Sequence, residues 1–429
     1  MNKLNKEIMP HTMLLTILFL LAITTVSLAQ SQTSLTIDEA YRLAKDNYPL
    51  VKQMALIEKT KEYSIENANK GYLPQLNING QGTYQSDVTS ISIPGVTTIS
   101  LSKDQYRLYG EISQTVTDGG IIKQQKELVK ASAETEQQKI EVELYKLKDR
   151  INQLFFGILL IDAQIEQTEL LKKDIQAGID KTNAAIANGT ALKSNADNLK
   201  AELLKINQRT IELLFNRKEY ADMLAFFIAQ RLDENTKFIT PIIRPVSTGI
   251  NRPELKLYEA QKKSFDIQNN LITAKNLPKL GLFFQGGYGR PGLNFLNNDF
   301  VTYYIAGVRL NWGLGGLYTA KNDRNLLKIN QQTIDVQKEV FLFNTNLSLS
   351  QQNSEISKFQ KLVYSDDEII ILRESIKITA KSQLENGAIT SSDYLIYVNA
   401  EDQARQNRLL HQVQLGLAQY NFQTTSGNQ

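Results

Sequence analysis

A chain of 429 residues with only 9 prolines, no cysteine and a net charge of +3 has room for two or three ordinary domains, yet its sparse punctuation points to long helices. Without cysteine there is no disulfide framework, no thiolate metal site and no acceptor for a lipid at a processed N-terminus. The charges are scattered rather than blocked, so nucleic acid is not an implied partner.

The first stretch, MNKLNKEIMPHTMLLTILFLLAITTVSLAQ, has a basic start at Lys3 and Lys6, an apolar core from Met13 to Ile23 and small residues at Ser27 and Ala29. This is a secretory signal pattern over residues 1–29, cleaved after Ala29; an uncleaved anchor is the alternative, which the short apolar core disfavours. Loss of Lys3, Lys6 and Glu7 takes the net charge from +3 to +2. No later apolar run approaches the roughly 20 residues of a transmembrane helix, so any further membrane entry must use strands.

The mature chain reads as a diverged duplication, with residues 30–231 and 251–429 as two copies of one plan joined by a linker over 232–250. NYPLVKQ at Asn47 matches NRPELKL at Asn251, and the steps from Pro49 to Pro74 and from Pro253 to Pro278 are both 25 residues. Each copy then runs through a β-hairpin (about 75–118 and about 279–312), a long helix, a tip turn and a return helix. Gly119-Gly120 and Gly315-Gly316 close the hairpins, and Asn188-Gly189-Thr190 and Asn386-Gly387-Ala388 form the tips. In the first long helix Ile140, Leu144, Leu147, Ile151, Leu154, Ile158, Ile161 and Ile165 recur at steps of 4 and 3, a coiled-coil seam. Uninterrupted from Ile121 to Ala187, it would span on the order of 100 Å. The return helix repeats the habit with Ala196, Leu199, Leu203, Ile206, Thr210 and Leu213.

Side chains alternate across a strand, so Leu76, Ile78, Gly80, Gly82 and Tyr84 share one face and Asn77, Asn79, Gln81, Thr83 and Gln85 the other. Leu108, Ile112 and Val116 alternate with Tyr109, Glu111, Ser113 and Thr115 in the second strand; Leu280, Leu282, Phe284 and Tyr288 share a face in the third, and Tyr304, Ala306, Val308, Leu310 and Trp312 in the fourth. Tyr84, Tyr106, Tyr288, Tyr303, Tyr304 and Trp312 stand towards strand ends, where interfacial aromatic girdles belong. Strands of about 10 residues suit a tilted crossing of a bilayer. A soluble sheet with one face packed on helices explains the alternation equally well. If the strands do enter a membrane, several chains must share one barrel, because four strands cannot close one and open edges cannot face lipid.

The signal, LTIDEAYRLAKDNYPLVK at Leu35, two strand entries of the form LPxL with Pro74 and Pro278, the two glycine pairs and the two Asn-Gly tips each followed by a helix bearing Asp, Ala and Glu together resemble the TolC family of outer membrane efflux proteins. The resemblance covers the mature chain in order and spacing. It implies a membrane α+β architecture: a homotrimeric 12-stranded outer membrane β-barrel, four strands per chain, continued by a long periplasmic α-helical coiled-coil barrel. It also implies a passive exit duct for efflux or type I secretion, docked to a periplasmic adaptor (membrane fusion protein) and an inner membrane transporter, with outer membrane lipid around the barrel. Carried over residue by residue, it makes the tips at Asn188, Gly189, Thr190, Asn386, Gly387 and Ala388 adaptor-docking turns, and the prolines and glycine pairs hinges at strand entry and hairpin exit. Asp393 matches an acidic residue at the periplasmic entrance. The family's second acidic position holds Ile396, a latch residue that is sometimes basic is Ile389, and Asn195 stands where an aspartate is common. A polar latch and an apolar constriction both remain open, as does a helix-capping role for Asp393.

Gly287-Tyr288-Gly289-Arg290-Pro291-Gly292 fits the spacing of a dinucleotide-binding loop but is followed by no helix, which makes it a hairpin loop. His411 is the only histidine after the signal, leaving little material for a metal cluster or a nucleophilic triad. No cofactor and no enzymatic activity are expected. A secreted or periplasmic coiled-coil structural or adaptor protein without a barrel is the rival reading.

Overall fold

Thr36 starts the first helix by accepting the backbone N–H of Glu39 on its side chain at 3.3 Å. Helix α1 (Ile37–Asn47) then buries Ile37, Ala40, Tyr41 and Ala44, one stripe of a 3.6-residue period. The structure, a computed structural model, describes residues 34–92, 94–95, 98–242 and 249–428. The signal segment 1–29 and part of the linker therefore lie outside the described residues. A short pair of parallel strands, β1 (Ser34–Leu35) and β6 (Lys237–Phe238), ties the start of the chain to that linker.

Two successive runs of the chain carry similar elements in the same order. In the first copy come α2 (Lys52–Asn69), β2 (Gln75–Tyr84), β5 (Asp104–Thr117), α3 (Ile121–Tyr145), α4 (Leu147–Ala187) and α5 (Lys193–Ile228). In the second come α6 (Pro253–Lys275), β7 (Lys279–Arg290), β8 (Val301–Asn311), α7 (Gly316–Glu385) and α8 (Ser391–Ser426). The longer first hairpin loop carries a ribbon of its own, β3 (Ser90–Ile91) with β4 (Ile99–Ser100). The expected single helix from Ile121 to Ala187 is interrupted at Lys146, whose N–H reaches the Val142 carbonyl at only 3.4 Å. Its counterpart α7 is unbroken over 70 residues, about 105 Å at 1.5 Å per residue.

The helices lie side by side in two tiers. Near the sheet the order is α2, α3, α6, α7; away from it α5, α4, α8, α7. Helix α7 thus forms one edge of the molecule along its whole length, while α2 and α5 share the other. Between the tiers sits the larger core, where Phe155 and Phe156 meet Phe238 and Tyr420 at ring separations of 5.4 and 5.3 Å. The expected seam residues Ile140, Leu144, Leu147, Ile151 and Ile158 are all part of this core. Asn152, fully buried, accepts the Tyr41 hydroxyl and donates to Asn421 and Thr424, so three helices are pinned by a satisfied polar node. A second core near the tips gathers Leu171, Ile175, Ile179, Leu199, Ile206, Tyr394 and Val398.

The four main strands form one antiparallel sheet in the order β2-β5-β7-β8. In register across it, Leu76 faces Ile112, Ile112 faces Phe284 and Phe284 faces Ala306. Directly opposed residues share a face, so the apolar face is continuous across all four strands. A bulge in the pairing of β5 with β7 sets Val116 out of the ladder. Strand β8 stops at Asn311, one residue short of Trp312.

Candidate channel wall and tips

Among the described residues no helix covers either face of the sheet. On the apolar face Leu76, Ile78, Tyr304, Val308 and Leu310 are all more than 60 % exposed, which removes the soluble sheet packed on helices. Towards the loop end this face carries Tyr84, Tyr106, Tyr288 and Tyr304, with Phe300 stacked between Tyr106 and Tyr288 at 6.3 and 5.6 Å. At the helical end stands Trp312, its indole N–H donating to the Asn276 carbonyl at 3.0 Å. Tyr303 does not join the girdle: it pairs with Gly287 on the opposite face, where any Cβ on that glycine would meet the Tyr303 and Tyr109 side chains at 2.8 and 2.7 Å.

The opposite face is polar. Asn77, Asn79, Glu111 and Ser113 lie on it, and at its centre Arg309 grips Glu111 through both guanidinium branches at 2.7 and 3.2 Å while Gln285 donates to the same carboxylate. The guanidinium also lies 4.5 Å from the Phe283 ring centroid. One face of the sheet is thus apolar and exposed, and the other carries a bonded charge pair.

The sheet joins the helices through the residues expected to do so. Pro74 and Pro278 stand immediately before β2 and β7. Gly119 and Gly120 have φ of 72° and 86°, a region open to glycine, and Gly119 also passes so close to Ala274 and Leu277 that a Cβ has no room. The second pair differs, since Gly315 has an ordinary helical φ of −58° and Gly316 lies against the Asn276 side chain. Sequence reading missed Asp118, whose carboxylate accepts the N–H groups of Gly120 and Ile122 at 2.8 and 2.6 Å and so starts α3. An aspartate directly before a glycine pair was the available signal.

At the tips, Asn188 and Asn386 end their helices and Gly189 and Gly387 turn with φ of 73° and 71°. The N–H groups of Thr190 and Ala388 return to the Ala185 and Gln383 carbonyls at 2.9 and 2.8 Å. Only the second tip has a capping box: Asp393 N–H donates to the Thr390 hydroxyl at 3.2 Å and Thr390 N–H donates to the Asp393 carboxylate at 3.0 Å. Asp393 is exposed, and Ile396 beside it is 65 % exposed, whereas Ile389 packs against the tip core. Behind the tip, Lys377 on α7 donates to Asp174 on α4 and Glu401 on α8 at 2.9 and 3.2 Å. Burial works against its charge, but the two carboxylates outweigh it and hold Lys377 above the ordinary lysine value. Among the described residues no cluster could hold a metal ion, and no helix is long and apolar enough to cross a membrane.

No protein-family model matches the sequence, and no curated protein does. Solved structures do match along nearly the whole chain. The outer membrane protein VceC of Vibrio cholerae aligns over 91 % of this chain and 96 % of its own at 13 % identity, with a TM-score of 0.63. The chain has an outer membrane channel fold. The open MtrE outer membrane channel of Neisseria gonorrhoeae shares this channel fold over 91 % and 88 % of the two chains, at 13 % identity and a TM-score of 0.62. The outer-membrane channel OprN shares it over 92 % and 90 %, at 13 % identity and a TM-score of 0.63. The order of helices and strands implied by the sequence resemblance is thus the order of the channel fold.

The hydroxyl and backbone N–H of Thr390 both bond the Asp393 carboxylate and hold its pKa below the usual aspartate value. The contribution of this cap is therefore complete above the unfolded value of about 3.9 and is lost as pH falls through the lower folded value. Hydrogen-exchange protection at the start of α8, corrected for intrinsic rates, should fall in acid in the native chain and stay flat in Asp393→Asn. Thr390→Ala should lower it at every pH by about 0.5–2 kcal/mol.

Proposed function

We propose that three copies of this chain close a 12-stranded barrel in the outer membrane and a helical tunnel in the periplasm, forming the passive exit duct of a tripartite efflux or type I secretion system. The reading rests most on where apolar surface is left uncovered. The helices inside each tier are almost free of it, with Leu170 on α4 and Ile396 on α8 as the large exceptions. The edge helices are rich in it: Leu56 and Tyr63 on α2, Leu204, Ile211, Phe215 and Phe226 on α5, and Leu326, Ile329, Val336, Val340, Phe343 and Leu347 on α7. With Thr333, the α7 positions step by 3 and 4 throughout, which is a coiled-coil seam without its partner. The unpaired edges of β2 and β8 lie on the same two sides of the chain as α2 and α7. One rotation that sets α7 against a neighbour's α2 and α5 also sets β8 against that neighbour's β2, and repetition of it closes the ring.

In that ring the apolar sheet face meets lipid and the Glu111–Arg309 face meets water. The tips at Asn188-Gly189-Thr190 and Asn386-Gly387-Ala388 lie farthest from the barrel, where an adaptor linked to an inner membrane transporter would dock. Pro74, Pro278 and the two glycine pairs would absorb the bend between barrel and tunnel. Exposed Asp393 and Ile396, one helical turn apart, would ring the entrance, an acidic ring beside an apolar one.

Native mass spectrometry of detergent-extracted protein should give a trimer, and a soluble monomer would end the proposal. Ile78→Arg should weaken the assembled barrel by about 2–4 kcal/mol and Asn79→Arg by little, read from the thermal stability of the oligomer. Equal costs would reverse or abolish the assigned faces. In planar bilayers, Asp393→Asn should relieve block by multivalent cations and Ile396→Asp should deepen it, with trimers intact in both. Unchanged block in both variants would leave Asp393 only its capping role.

A further inference from the structure

Six cations at the junction of sheet and helices have no task in the duct. Lys123 stands on α3, Lys275 and Lys279 flank the turn from α6 to β7, and Lys321, Arg324 and Lys328 occupy the first turns of α7. Among the described residues none has a carboxylate within ion-pair distance, and together they gather six positive charges at one level of the molecule. The nearby acids are engaged or few: Asp118 gives its carboxylate to two backbone N–H groups, Glu127 is held by Lys130, and Asp323 is left.

Lys321 and Arg324 rim a cavity of about 510 Å³ between the end of α6 and the start of α7, whose wall includes Thr273, Asn276, Leu277 and Leu317. Arg324 reaches the Thr273 hydroxyl at 3.1 Å, which fixes the guanidinium without neutralising it. The Asn276 carbonyl accepts from Trp312, so the cavity adjoins the aromatic end of the apolar sheet face. Leu277 and Leu317 are about half exposed there. Lys321, Arg324 and Lys328 are spaced to share one helix face, which continues the charge downwards by a turn.

We propose that this cavity holds the headgroup of an anionic phospholipid from the leaflet on the helical side of the barrel, with its acyl chains against Leu310 and Trp312. The inference rests on the membrane reading above. A phosphate finds two unneutralised cations there, and no free carboxylate lines the cavity to receive the ammonium of a zwitterionic headgroup. The opposite end of the sheet lacks such a surplus, because its cations Lys103, Arg107 and Arg290 are matched in number by Asp87, Asp104 and Asp299, with Arg290 paired to Asp104. The charge therefore distinguishes the two leaflets.

Native mass spectrometry of the detergent-extracted oligomer, titrated with phosphatidylglycerol or phosphatidylcholine, tests this. The native protein should retain phosphatidylglycerol at lower lipid concentrations than phosphatidylcholine. Lys321→Gln with Arg324→Gln should require roughly tenfold more phosphatidylglycerol, with phosphatidylcholine unaffected and Lys361→Gln behaving as native. Lys321→Gln with Lys328→Gln, which keeps the Arg324–Thr273 contact, should move the same way. Equal retention of the two lipids by an intact oligomer, or variants indistinguishable from the native protein, would remove the lipid site alone. A chain that needs no detergent would remove the membrane reading and the site together.

Discussion

Unpaired backbone groups along β2 and β8 are the constraint on which the rest of the chain depends. A strand edge in water can be tolerated with charge or a bulge, but an edge in lipid cannot, because each orphaned N–H or C=O costs several kcal/mol there. The four-stranded sheet has two open edges and an uncovered apolar face, so in the bilayer setting proposed for it a single copy would be incomplete. The helices answer the same need. Most of their uncovered apolar residues fall on α2, α5 and α7, the helices on the same two sides as those edges, and the inner helices of each tier are largely covered by their neighbours.

Given that constraint, the two cores have distinct tasks. The larger one lies at the join between tiers, where α1, β1 and β6 wrap the first copy and Asn152 links α1, α4 and α8. A buried polar node with its bonds satisfied favours one register of these helices over others offered by a repetitive seam. The smaller core lies behind the tips, where Lys377 ties α7 to α4 and α8. The long helices run from one of these cores to the other.

Most of this architecture was legible because it is periodic. Alternation at period two marked the strands, steps of 3 and 4 marked the seams, and the paired 25-residue intervals between prolines exposed the duplication before any contact was known. What escaped was local and aperiodic. The pairing of β1 with β6 involves two residues on each side, too few to carry a pattern. Tyr303 and Tyr304 are adjacent aromatics, and only the register with Gly287 and Gly286 assigns them to opposite faces. The bulge at Val116 leaves no mark in an alternation that continues through it. At the second tip, the Thr-x-x-Asp spacing from Thr390 to Asp393 was a readable capping signal, and the structure gives Asp393 that task while leaving it exposed.

The duplication has also divided labour between its copies. Helix α4 buries residues along its whole length, Phe155, Phe156 and Ile158 in one core and Leu171, Ile175 and Ile179 in the other, so it is fixed within its own chain. Helix α7, its counterpart, buries only Ala320, Ile334, Thr345, Asp366, Ile370 and Ala380, and presents the rest of its apolar surface outward. A helix with so little of its apolar surface committed within the chain draws most of its packing energy from whatever lies beside it. The second copy therefore leaves one long helix largely uncovered, while the first leaves uncovered mainly its two shorter edge helices, α2 and α5. The same asymmetry reaches the tips, where the first return helix starts without a side-chain cap and the second starts with a complete capping box. The copy with the weaker hold on its own chain is the one whose tip is secured locally.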